Sequence, residues 1–231
     1  MDENLIKQEL FPLYQELLSK KTFEDICAFC IQWGENFPSA KNEGILFIGK
    51  AVNKWISKET DVNILFGDDE KDKIFARDDQ IQWVDERRYD KASAFWSVIK
   101  KTTQNFYPKE DWYSYVAWSN LWKLAPFKGG NPNVSLRDEQ FDTCKKILEK
   151  EIEIFSPKFV VMLTSGWETD FLYFLNSSNH PQSELTIKWW STYEYETRLY
   201  KINDVAYIVS PHPQGKKADP HVEAVSKLIH F

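Results

Sequence analysis

The sequence predicts an α/β domain, a three-layer α/β/α sandwich around a mainly parallel central sheet. Three observations predict it. Short apolar runs with a β-branched and aromatic bias, ILFIG ending at Gly49 and FVVML at 159–163, have the composition of strands buried on both faces. Segments with apolar residues at helical spacing lie between such runs, and this alternation lays helices on both faces of a sheet. No internal repeat or Gly/Ser linker interrupts the 231 residues, so the simplest organisation is one domain over 1–231, with 1–40 as an N-terminal helical segment packed on it.

Taken in order, residues 3–20 and 22–35 read as two helices. Pro12 falls inside the first pattern and is expected to start or bend the helix there. In the second, Phe23, Ile26, Cys27, Cys30 and Trp33 recur at helical spacing, with Thr22 as N-cap and Asp25 three residues on. FPSAKNEG is the loop leading into the strand at 44–49. Residues 50–90 are polar and irregular, and GDDEKDK within them is a charge run typical of a solvated loop. KASAFWSVIKKTTQNF (91–106) predicts an amphipathic helix with Phe95, Trp96, Ile99 and Thr102 inward. YSYVAW (113–118) predicts a second strand, followed by the loop SNLWKLAPFKGGNPN. Ser135, with Asp138 three residues later, is the expected N-cap of a long helix whose stripe is Phe141, Cys144, Leu148, Ile152 and Phe155. After the third strand, a helix from near Gly166 carries Phe171, Leu172 and Leu175. RLYKI and VAYIVS flank Asn203-Asp204 as a hairpin, and about 219–230 is again helical.

Composition sets the outer bounds. Hydrophobic residues make up 42% of the chain and aromatic residues 16%, which fills a core and argues against disorder. No apolar run is long enough to span a bilayer, and the opening MDENLIKQEL lacks the basic-then-apolar order of a secretion signal. The expectation is a cytoplasmic protein with reduced thiols and no membrane partner. A net charge of −6 argues against a broad basic face gripping many phosphates. Lys123, Lys128, Lys216 and Lys217 still leave room for a local basic strip beside one cleft.

GILFIGKA, Gly44 to Ala51, matches the letters G-x-x-x-x-G-K of a phosphate loop, but Ala51 stands where a Ser or Thr would bind magnesium. Its variable residues Ile45 to Ile48 form a buried strand and not a flexible loop. The strand ends at Gly49 and puts Lys50 to Asn53 where open α/β sheets hold ligands. Three other strand ends join that edge: Ser119-Asn120, Thr164-Ser165-Gly166 and Ser210-Pro211-His212-Pro213. They gather an amide, hydroxyls and a histidine beside the lysine.

Four segments in this order resemble the uracil-DNA glycosylase superfamily, most closely its iron–sulfur family. They are ILFIGKAVN, WSNLWKLAPFKGGNPN, LRDEQFDTCKKILEKEIEIFSPKFVVMLTSG and IVSPHPQGKKADPHVEAVSKLI. The resemblance implies a uracil-DNA glycosylase-like sandwich that takes a flipped nucleotide from DNA and hydrolyses the bond between base and sugar. It implies that Asn120 reads the base edge with its two-sided amide. It also implies that His212, stiffened between Pro211 and Pro213, stabilises the departing base oxygen. Gly49, Ala51, Ser119 and Pro213 fall in the segments expected to border the base. Phe95, Trp96 and Trp55 are the candidates for the ring that stacks on it.

The first motif departs from the family. Lys50 stands where the iron–sulfur family has Glu, Ala51 where other branches have Asp or Asn, and Val52 replaces Pro. The carboxylate that would face the oxocarbenium-like sugar is missing, and a cation in its place opposes the developing charge. Lys50 is left with three open roles: a holder of phosphate or base oxygen, an amine nucleophile of lowered pKa, or a surface lysine. Asn53 is the candidate substitute for positioning water. The family also binds a cluster through four thiolates; Cys27, Cys30 and Cys144 fall in matching places, and Leu124 occupies the fourth. The expectation is no cofactor, with a degenerate iron–sulfur site at those three thiols as the alternative, while core packing fits their spacing equally. His180 and His221 lack partners at metal-ligand spacing, so no metal site is expected. Trp189-Trp190 and Tyr193-Glu194-Tyr195 suit either strand packing or stacking on single strands. The leading expectation is therefore a DNA glycosylase-type hydrolase acting on a damaged base. A non-catalytic binder of nucleobase or nucleic acid using the same pocket, and a hydrolase of small nucleosides, are the alternatives.

Overall fold

The computed structural model describes residues 2–20, 23–53, 58, 60–67, 75, 81–108 and 110–230. Thr22, Trp55 and most of GDDEKDK lie outside the described residues. Helix α1, Glu3–Ser19, is capped by Asp2, whose carboxylate accepts the N–H groups of Asn4 and Leu5. It continues through Pro12, whose ring forfeits the bond to the Gln8 carbonyl. Ile6, Leu10, Tyr14 and Leu17 anchor both halves in the core.

The helix expected over 22–35 is absent. Strands β1 (Ile26–Ala28) and β2 (Gln32–Trp33) occupy that stretch. Its residues from Ile26 to Gly34 are buried without a break, which is the signature of a strand covered on both sides and not of a one-faced helix. Strand β3 is Ile45–Gly49, and the segment read as irregular holds the short helices α2 (Val62–Leu65), α3 (Gln82–Glu86) and α4 (Tyr89–Ala92). Helix α5, Ala94–Gln104, is capped by Ser93. The YSY of the expected second strand is instead a 3-10 turn over Trp112–Tyr115, and β4 is Val116–Asn120. Strand β5 is Leu124–Pro126, and α6 is Val134–Phe155. Asn133, not Ser135, caps α6: its Oδ1 accepts the Leu136 N–H at 2.8 Å. There follow β6 (Phe159–Leu163), α7 (Thr169–Leu175), β7 (Leu185–Trp190), β8 (Glu194–Ile202), β9 (Val205–Ser210) and α8 (Ala218–Ile229).

The protein is of the α/β class. Seven strands form one sheet in the order β2-β4-β3-β6-β9-β8-β7, and β1 pairs separately with β5. The sheet is mixed, and the expectation of a mainly parallel one is corrected: only β4, β3, β6 and β9 run parallel, and both margins are antiparallel. Between β8 and β9 the reason is the two-residue turn at Asn203-Asp204, where Asn203 takes φ 53°; so short a connection permits only an antiparallel pair. Helix α1 packs on α6, and α5 packs on α8. The β3-to-β4 crossover runs one way along the sheet and β4-to-β6 the other. Right-handed connections therefore put α5 and α6 on opposite faces. The four parallel strands all end at one edge, with Gly49 beside Asn120 and Leu163 beside Ser210. No helix among the described residues is long and apolar enough to cross a membrane.

Candidate functional site

A cavity of about 500 Å3 opens at that edge, walled by the loop from Gly49 to Asn53, by Phe95 and Trp118, and by Asn120 and His212. Of the residues singled out in the sequence, Gly49, Lys50, Ala51, Val52, Asn53, Phe95, Trp96, Asn120 and His212 line it. No Asp or Glu does so among the described residues. The hydrogen-bonding groups that converge here are mainly donors, so the cavity suits a ligand rich in acceptors.

Asn120 is at the cavity's base. It is 1% exposed, and its Nδ2 donates to no group. Asn120 lines the cavity, and a buried donor left without a partner is costly. Gly49 makes room for that amide. A Cβ at Gly49 would overlap Asn120 Oδ1 and lie 3.2 Å from Phe95 Cζ. Lys123 holds the Asn120 backbone, donating from Nζ to its carbonyl at 2.7 Å.

His212 lies against Phe95 with the rings inclined by 14° and their centres 5.9 Å apart. Its own N–H donates to Ser165 Oγ at 2.7 Å, and Lys216 Nζ donates to its carbonyl at 2.9 Å. The Gln214 N–H donates to Nδ1 at 3.3 Å, which leaves the proton of a neutral ring on Nε2. Burial, with Lys50 and Lys216 adding positive charge, pushes the imidazole down to about 4. The ring is thus a neutral donor at physiological pH. By nuclear magnetic resonance, the His212 imidazole is expected to remain neutral from pH 8 to 5 and to protonate only near 4. Because the native value lies below the usual 6.5, acidification between those values draws protons to the unfolded chain and costs stability. Protonation near pH 6.5 would contradict this geometry.

Lys50 Nζ sits 5.0 Å from the centre of the Trp167 ring. Burial and then Lys216 lower its pKa, while Glu168 acts in the opposite direction. Asn53 lines the cavity, but its Oδ1 accepts the Gly130 N–H at 2.9 Å. That bond ties the first loop to the Gly129-Gly130 turn, alongside the bonds from the Leu121 and Trp122 N–H groups to the Gly49 and Lys50 carbonyls.

Ser119 and Pro213 do not line the cavity. On a strand, neighbours face opposite ways, so Asn120 toward the ligand puts Ser119 in the interior. There Ser119 Oγ donates to Glu151 Oε2 at 2.7 Å and accepts from Lys123 Nζ at 2.6 Å. Lys123 Nζ also donates to Glu151 Oε2 at 2.8 Å, and both residues of this ion pair are fully buried. Lys123 is thereby removed from any surface strip. Trp96 is a core residue at 5% exposure that touches the cavity wall, which leaves Phe95 as the better-placed ring among the described candidates. Trp118, Trp83, Arg87 and Gln214 were not singled out in the sequence, although they line the cavity. The sequence signal for Trp118 is its place two residues before Asn120, on the same strand face.

The three cysteines are buried and form no disulfide. Cys27 Sγ lies 3.4 Å from the Ala125 carbonyl and Cys144 Sγ 3.3 Å from Gln140 Oε1. The Leu124 N–H donates to Gln140 Oε1 at 2.8 Å, and the Leu124 carbonyl accepts from Gln140 Nε2 at 3.0 Å. Among the described residues no group of three His, Cys, Asp or Glu is arranged to hold a metal ion. Burial raises the Cys30 thiol and pushes Cys144 up to about 12. Native protein is therefore expected to resist alkylation at pH 8, with all three thiols reacting once denatured. Rapid labelling of the native fold would contradict the packing. Elsewhere, His221 is buried, bonded through Nε2 to Ser210 Oγ at 2.7 Å and stacked on Trp189, whereas Trp190 and Tyr193 are exposed.

The architecture and the donor-lined cavity stand on geometry alone: no protein-family model matches the chain, and no curated protein matches it.

Proposed function

We propose that this chain is a uracil-DNA glycosylase-like protein that receives a nucleobase from a nucleic acid in the cavity between Phe95, Asn120 and His212. One observation carries the reading: Asn120 lines a cavity that has no carboxylate among the described residues, and its buried amide nitrogen has no hydrogen-bond partner there. Asn120 pairs with the base edge, Phe95 packs on its face, and His212 offers Nε2–H to a base oxygen. Recognition is the function the site supports best. A departing base anion would find its donor in His212, but the cationic sugar of a glycosidic transition state would face Lys50. The neutral His212 donor favours hydrolysis as the second reading.

Single- and double-stranded oligonucleotides carrying uracil, hypoxanthine or xanthine separate the two. Recognition predicts that the protein binds at least one of them and gives no strand breaks, after abasic-site cleavage, beyond those of an Asn120→Ala/His212→Ala variant. Breaks above that background establish hydrolysis. Loss of neither binding nor cleavage in that variant overturns both.

A further inference from the structure

We propose that Lys50 and Arg137, both set on the ring of Trp167, form a phosphate subsite beside the base cavity. The ligand is then a nucleotide carrying its phosphate, free or within a strand. This rests on the base-binding reading and names the ligand class for it.

Lys50 Nζ lies 5.0 Å and the Arg137 guanidinium 4.8 Å from the centre of the same indole. The ring attracts each cation through its quadrupole, so one indole holds both side chains in place beside the cavity. Lys216 adds a third positive group within electrostatic reach of Lys50. Among the described residues none of these three cations forms a salt bridge. Glu168, the carboxylate that acts on Lys50, already accepts the Thr164 hydroxyl and the Gly166 N–H. Arg137 Nε is buried and donates to no group. A guanidinium with an unmade buried bond is costly, and a phosphate oxygen is the acceptor its planar fork fits best. Lys50 also lines the base cavity, so one residue borders both subsites.

Trp83, Trp96 and Trp118 line the cavity and make intrinsic fluorescence the readout for titrating the full chain. The probes are the common nucleosides, their 3′- and 5′-monophosphates, inorganic phosphate, and short single-stranded oligonucleotides. For the best-bound base, the monophosphate is expected to bind about tenfold or more tightly than the nucleoside. Lys50→Gln and Arg137→Gln each bring that ratio toward one, and the distant Lys227→Gln keeps it at the parent value. An oligonucleotide that binds more tightly than the mononucleotide identifies a strand as the source of phosphate; equal affinity identifies the free nucleotide. Equal binding of nucleoside and monophosphate, or a ratio that survives both substitutions, overturns the subsite and leaves base binding standing. Inorganic phosphate binding as tightly as the nucleotides overturns base binding and leaves the subsite standing. No binding by any probe overturns both.

Discussion

Replacing Lys123 by methionine is expected to destabilise the protein by about 3–5 kcal/mol in urea unfolding, because it strands a buried carboxylate. Lys123 and Glu151 are both fully buried, and the ammonium's three protons go to Ser119 Oγ, the Asn120 carbonyl and Glu151 Oε2. Glu151 has no other cation bonded to it, and its Oε1 is already without a partner. Burial raises the Glu151 pKa even with Lys123 and Ser119 opposing. Without Lys123, folding has to protonate Glu151 or bury its charge unpaired. The deficit should therefore shrink as pH falls through the carboxylate range, since an acid with a raised native pKa is stabilised where the unfolded state is already protonated. Glu151→Leu added to Lys123→Met should recover most of the loss. A Lys123→Met variant as stable as the parent would show that the pair is not what fills this part of the core. The effect reaches the site as well, because the same ammonium holds the Asn120 carbonyl.

Gly49→Ala should abolish ligand binding while leaving a folded protein. The new Cβ overlaps Asn120 Oδ1, and the amide has to turn or the two strand ends have to part. Overpacking of this kind costs about 1–3 kcal/mol of stability. Asn120→Ala is the complementary test. It removes a buried donor that has no partner among the described residues, so its expected effect on Tm is nil or favourable. It should still weaken base binding by about tenfold or more. A structural asparagine behaves in the opposite way, losing stability and sparing affinity. Thermal unfolding and base titration of the two variants together distinguish these cases.

Much of this site was legible in the sequence because strand ends are. The continuous apolar runs at Ile45–Gly49 and Phe159–Leu163 are strands by composition, and the residues following parallel strands meet at one edge. That logic brought Lys50, Asn120 and His212 to one cavity. What failed did so for physical reasons. Cys27, Cys30 and Trp33 mimic a helical stripe, but burial on all sides erases the polar positions that distinguish a stripe from a covered strand. Ser119 adjoins Asn120 in sequence, yet strand alternation sends the two to opposite faces. Glu151 sits in EKEIEIF and reads as surface charge; only tertiary packing makes it the buried partner of Lys123. Trp83 and Arg87 reach the cavity from a segment without periodicity, where sequence offered no handle. Arg137 looks like an ordinary charge in the first turn of a helix, and only the fold sets it on Trp167.

On the proposed function, the Asn120 side chain binds a nucleobase. The most direct measurement follows the side-chain amide resonances of Asn120 by nuclear magnetic resonance, assigned with Asn120→Ala, while free uracil, cytosine and hypoxanthine are added in turn. At least one base is expected to shift the Nδ2 protons saturably toward the hydrogen-bonded range, because that donor has no partner among the described residues. Asn120 resonances that stay in place for every base, at concentrations where the cavity tryptophans report binding, would contradict it.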